Sequence, residues 1–132
     1  VVSKQKARGT AAETAVVNYL SQFFPNVERR TLSGAHDKGD INLHPNVVIE
    51  VKDHQRMALS EWVDEADKEG TNASAWIAAV WHKRMRKGNP AEWYVTMKGD
   101  VFAGLLKVYF DLLEADKQVE LMAKHLGIVE ES

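Results

Sequence analysis

The chain has 132 residues, 45% of them hydrophobic, which is the length of one domain and ample for a single core. It contains no cysteine, which excludes disulfides, thiolate zinc sites and cysteine nucleophiles, so any metal must be held by oxygen or imidazole. The formal charge of −2 argues at first against a nucleic-acid partner, but residues 111–132 carry six acids against two bases, a local −4 that leaves +2 on the first 110. No apolar run approaches the roughly 18 residues of a membrane span, and the N-terminus is polar with no hydrophobic signal core, so a cytoplasmic protein without a membrane partner is expected.

Residues 1–9 lack periodicity and are expected to form a flexible basic arm carrying Lys4, Lys6 and Arg8. Thr10-Ala11-Ala12-Glu13 has the form of a capping box, and Val16, Val17, Leu20, Phe23 and Phe24 keep helical spacing until Pro25. Glu13 has two readings. As a capping residue it bonds back to the Thr10 amide; as a member of the line Glu13, Val17, Leu20, Phe24 it is a buried carboxylate that needs a partner or a metal. Residues 26–32 read as a strand carrying Arg29 and Arg30, and 33–39 as a loop in which Ser33, His36 and Lys38 can donate to phosphate, His36 alternatively binding metal or sitting in solvent.

The stretch Gly39 to Lys52 reads as a β-hairpin, with the β-branched run Val47-Val48-Ile49 as its second strand. A three-residue loop, His44-Pro45-Asn46, with Asn46 left-handed, would pair Leu43 with Val47, Ile41 with Ile49 and Asp40 with Glu50, whereas a two-residue loop would put Asp40 and Glu50 on opposite faces. Ile41, Leu43, Val47, Ile49 and Val51 then share one face, and Asp40, Asn42, Val48, Glu50 and Lys52 the other. Two carboxylates opposed at roughly 5 Å repel, and a divalent cation between them converts that cost into binding. Mg²⁺ takes hard oxygen ligands of this kind, and Lys52 would add a positive charge beside a phosphate. On spacing alone, the alternative is a half-exposed strand with a surface Glu and Lys.

Beyond Lys52 a helix is expected from about Ser60, with Leu59, Trp62, Val63 and Ala66 apolar, an acidic outer face and Gly70 as its stop. Residues 75–81 form a continuous apolar run, the pattern of a central strand covered on both faces, and end in a basic loop with Lys83, Arg84, Arg86 and Lys87. Residues 92–97 read as another strand. Asp100 can cap a helix carrying Phe102, Leu105, Leu106, Tyr109, Phe110 and Leu113, and a last helical stretch carries Val119, Met122 and Leu126. Their apolar arc is either core or the seam of a homodimer. The basic clusters are either solvated patches or phosphate contacts. The order of elements gives an α/β class, a mixed β-sheet flanked by α-helices with extra C-terminal helices. No glycine-rich phosphate loop is present, so no nucleotide cofactor is expected, and no strand-elbow-helix signature supports a Ser-His-Asp hydrolase.

Arg8-Gly9-x-x-x-Glu13 opening a helix, Gly39-Asp40-Ile41 on a strand and Glu50-Val51-Lys52 on the next together resemble the PD-(D/E)xK nuclease superfamily. More narrowly, they are similar to archaeal-type Holliday junction resolvases and their phage relatives, over residues 4 to about 98. The resemblance implies a restriction-endonuclease-like fold and a Mg²⁺- or Mn²⁺-dependent DNA endonuclease acting on branched DNA in a bacterial or phage-infected cell. It also implies Asp40, Glu50 and the Val51 carbonyl as metal ligands, Glu13 as a further ligand or water-mediated contact, and Lys52 as the residue that orients water or steadies the charge on phosphorus. A homodimer with Arg8, Ser33 and Lys38 near the cleaved backbone follows from the same likeness. Flap, single-strand or restriction-like nucleases and non-catalytic DNA-binding modules are the alternatives on this fold. The chain departs from the resolvase pattern in being less basic and in carrying acidic C-terminal helices.

Overall fold

The computed structural model describes residues 3–30 and 39–128. Ser33, His36 and Lys38, expected as phosphate donors, lie outside the described residues. The chain is mixed α/β and divides into two compact units, Val1–Lys98 and Gly99–Ser132. Among the described residues no helix is long and apolar enough to cross a membrane.

The first unit opens with helix α1, Lys4–Leu20, whose N-cap Ser3 accepts a hydrogen bond from the Lys6 amide at 3.1 Å. This corrects the expected flexible arm at 1–9. Residues 4–9 carry no apolar stripe because they are largely exposed, but a serine cap nucleates the helix without one. Thr10 consequently lies inside the helix and Glu13 has no capping role. The buried line is Ala12, Val16 and Leu20, whereas Phe23 and Phe24 follow the helix and are exposed.

Strand β1, Glu28–Arg29, pairs antiparallel with β2, Ile41–Asn42, in a two-stranded sheet. Strand β3, Val47–Lys52, pairs instead in parallel with β4, Ile77–His82, and helix α2, Leu59–Ala73, makes the crossover. Antiparallel β5, Tyr94–Thr96, completes a mixed sheet in the order β3-β4-β5, with apolar β4 at its centre as expected. The register sets Glu50 opposite Val80 and Lys52 opposite His82.

The expected hairpin ladder is therefore corrected: β2 and β3 share no ladder among the described residues. The Val47 amide donates to the His44 carbonyl at 3.1 Å, closing a tighter turn in which Pro45 and Asn46 are the central residues. Proline's fixed φ suits the first of these positions, and Asn46 is not left-handed. The Asp40 amide donates to the Ile49 carbonyl at 2.9 Å, in place of the Asp40–Glu50 pair. The division into faces nevertheless holds. Ile41, Ile49 and Val51 pack with Ala12, Val16 and Leu20 of α1, while Val48 packs with Trp62, Ala66 and Val80 on the α2 side.

Two glycines set close approaches. Gly39 has φ +93°, and a Cβ there would lie 3.0 Å from Val48 Cγ1 and 3.1 Å from the Ile49 carbonyl oxygen, so only glycine brings Asp40 against β3. Gly70 does not stop α2. It is buried 3.1 Å, by its would-be Cβ, from Ala78 Cβ, and the helix ends at left-handed Ser74, φ 53°.

In the second unit, Gly99–His125 is one continuous helix, α3, where two helical stretches were expected, and none of its residues is buried.

Candidate active site

Three elements converge on the end of β3 that carries Glu50 and Lys52. Helix α1 brings Glu13, the segment entering β2 brings Asp40, and β3 itself brings the other two. The Asp40 carboxylate is held by the Val51 amide, which donates to Oδ2 at 2.8 Å. It neighbours both the Glu13 and the Glu50 carboxyls. Lys52 Nζ lies 4.0 Å from Glu50 Oε2. Glu13, Asp40, Glu50 and Lys52 thus form one continuous row.

The row is electrostatically costly as it stands. Glu50 is only 3% exposed, and burial first, then the neighbouring Glu69 and Asp40 carboxyls, pushes it up to about 12. Its Oε1 is buried and receives no hydrogen bond from a donor among the described residues. Carboxyls crowded in this way are relieved by a proton or by a cation. Burial and Asp40 also raise Glu13, against the opposing pull of Arg29, whose Nε and Nη2 donate to Glu13 Oε2 at 3.2 and 3.0 Å. Burial pulls the Lys52 ammonium down, but Glu65, Glu50 and Asp40 outweigh it and leave it raised, so Lys52 is charged.

Two residues of this site were missed from sequence. Glu65 and Glu69 stand one turn apart on α2; Glu65 Oε2 accepts from Lys52 Nζ at 3.0 Å, and Glu69 is buried at 6% exposure beside Glu50. One carboxylate oxygen each from Glu50, Glu65 and Glu69 lies within 4.8 Å of the others, a spacing that can hold a cation. The signal for Glu69 was present, since it falls three residues after Ala66 in the Trp62–Ala66–Gly70 stripe, the argument that picked out Glu13 on α1.

The basic residues sort into two clefts. Lys6, Arg29 and Arg30 line an open cleft of about 420 Å³ whose acidic members are Glu13 and Asp40. Arg29 is held by Glu13, and Arg30 Nη2 donates to Asn42 Oδ1 at 3.2 Å. A second cleft of about 380 Å³ gathers Arg8, Lys83, Arg84 and Arg86 around Asp53, which pairs with Arg8 at 3.2 Å and Lys83 at 3.9 Å. Arg84 stacks over the Tyr94 ring at 4.6 Å. Arg8 belongs to this second cleft and does not reach the carboxyl row. Lys4 is exposed at the start of α1, and Lys87 pairs with Glu92 at 3.8 Å; neither lines these clefts.

Comparison of the chain with family models, with curated proteins and with solved structures finds no match.

Proposed function

We propose that this chain is a metal-dependent DNA endonuclease of the PD-(D/E)xK type, its mixed sheet and helices forming a restriction-endonuclease-like core, with branched DNA as its substrate. One observation carries the reading: carboxyls from three separate elements, Glu13, Asp40 and Glu50, adjoin one another in a row that ends at Lys52. A fold gains nothing in stability from burying like charges together, so the arrangement points to a ligand that neutralises them.

The residues fit a divalent cation, because the buried Glu50 carboxyl is crowded by the Glu69 and Asp40 carboxyls, and such crowding is relieved by a proton or a cation. Asp40 and Glu50 would hold Mg²⁺ or Mn²⁺, with Glu13 and the Val51 carbonyl as the further contacts that the resemblance implies. The cation supplies Lewis acidity, making water acidic enough to attack and offsetting charge on the phosphate. Lys52, fixed by Glu65, presents a positive charge where negative charge develops on the phosphate oxygens, and it orients the attacking water. The Val51 amide keeps the Asp40 carboxylate aimed at the row. Lys6 and Arg30 at one cleft, and Arg8, Lys83, Arg84 and Arg86 at the other, offer cations spaced along the surface for successive phosphates.

The test is nicking of a four-way junction, a flap, a linear duplex and a single strand in Mg²⁺ or Mn²⁺. The junction is expected to be cut fastest, with activity lost in chelator and in Asp40→Asn. Equal rates on all four substrates would exclude a resolvase, and cutting that survives Asp40→Asn would exclude this site. Tight junction binding with no turnover in either metal would assign the chain to the non-catalytic modules.

A further inference from the structure

Helix α3 has a period that the first unit does not use. From Val101 to Leu126, every position reached by alternate steps of four and three residues is apolar, with Ala115 the one small member. This is the 3.5-residue repeat of a coiled-coil seam, sustained for more than three heptads. Six of its eight members are exposed, Leu112 at 60%, Val119 at 67% and Met122 at 64% among them, while Val101 and Leu105 are half-buried. Eight seam positions, each covering roughly 60–120 Å², would bury on the order of 1,000–2,000 Å² in a pair of helices, the range of a specific dimer.

We infer that α3 pairs antiparallel with α3 of a second copy of this chain. The charges beside the seam choose the direction, and the self-matching of the seam in that direction chooses the partner. In a parallel pair, residues five apart on the two flanks of the seam face each other, which would set Asp111 against the partner's Asp116 twice over. In an antiparallel pair each flank meets its own kind. Asp111 then faces the partner's Gln118, and Asp116 faces the partner's Tyr109, whose hydroxyl can donate to it. The seam itself closes in the same register. Leu105 layers with the partner's Met122, Val108 with the partner's Val119, and Leu112 with the partner's Ala115, a large side chain against a small one at the middle. All eight seam positions are matched in this one alignment, and none is left over.

The inference does not depend on the nuclease reading, and its test does not use activity. The full chain at micromolar concentration is expected to have twice its 14.8 kDa mass by light scattering. Leu112→Asp, at the centre of the seam, is expected to return it to monomer while circular dichroism shows the first unit folded. Phe110→Asp, on the opposite side of α3, is expected to leave the dimer in place. Since the chain has no cysteine, introduced ones report direction cleanly. A mixture of Leu105→Cys and Met122→Cys chains is expected to cross-link on oxidation, and neither alone. A monomeric wild type, a dimer that survives Leu112→Asp or dissociates with Phe110→Asp, or efficient self-linking of Leu105→Cys would each overturn it.

Discussion

Toward α1, strand β3 presents Val47, Ile49 and Val51, which pack with Ile41 and the helix in a wholly apolar cluster. Toward α2 it presents Val48 and then Glu50 and Lys52, and α2 answers with Trp62 and Ala66 and then Glu65 and Glu69. One six-residue strand therefore has one face given to the core and one that turns from core into charge within a single step of the pleat. The difference teaches where packing and charge separate in this fold. The parallel ladder to β4 fixes Glu50 whatever its charge costs, because its neighbours in sequence, Ile49 and Val51, are anchored on the opposite face.

The sharpest way to break the comparison is to neutralise the charged face. Glu50→Gln keeps shape and removes the charge that would hold the proposed cation, so on the nuclease reading turnover on junction DNA is expected to fall about 10²–10³-fold, roughly 3–4 kcal/mol of transition-state stabilisation. The fold should be retained. A variant that cuts at the wild-type rate would reduce the charged face to a surface accident.

The mirror experiment is on the apolar face. Ile49 is 7% exposed, and Ile49→Ala is expected to cost about 2–5 kcal/mol in denaturant unfolding. Below the unfolding transition, the activity per folded molecule should stay within about an order of magnitude of wild type. If stability were unchanged and turnover lost, the division of labour between the faces would be reversed.

A smaller effect is expected where the two faces are joined to the incoming chain. Gly39→Ala places a methyl 3.1 Å from the Ile49 carbonyl at φ +93°, a backbone and steric cost of about 1–3 kcal/mol. Relief of that strain moves Asp40, so the metal dependence of cutting should shift to higher Mg²⁺ along with the loss of stability. Stability loss with unaltered Mg²⁺ dependence would show that Asp40 is not seated by Gly39.

How far this arrangement was legible in sequence depended on the range of the interactions involved. The period of two along Val47–Lys52 gave the faces of β3 correctly, because alternation is a property of the strand itself. The turn and the pairing were not legible. Whether Val47–Lys52 bonds to the preceding strand or to a strand 30 residues later is decided by α2 packing back over Val48 and Val80, which no local pattern reports. Gly70 read as a stop because glycine ends helices, whereas its role is to let α2 approach Ala78. The N-terminal turns of α1 were hidden for the opposite reason: their residues face solvent and leave no hydrophobic signature, only the Ser3 cap. Glu69 was recoverable from its place in the apolar stripe of α2, and reading that helix's acids as an outer face concealed it.

The two faces also differ in how they respond to pH, and this is the finest test of the charged one. In chelator, Glu50 holds its proton in the folded protein, pushed up to about 12 by burial first and then by Glu69 and Asp40, while the unfolded chain releases it near 4.5. Between those values the native state binds a proton that the unfolded state does not. Stability must then fall as pH rises above about 4.5, by up to about 1.4 kcal/mol per unit for this group. Glu50→Gln cannot ionise and loses that slope, so the gap between variant and wild type should widen in the variant's favour from pH 6 to 8. The variant becomes the more stable protein. Saturating Mg²⁺ should flatten the wild-type slope, because a cation held as proposed would bind the ionised carboxylates of the folded state alone. Denaturant unfolding at three pH values, with and without Mg²⁺, measures each term. Parallel wild-type and variant profiles in chelator would mean that Glu50 is already ionised in the fold, and that its neighbours, not a proton, carry its charge.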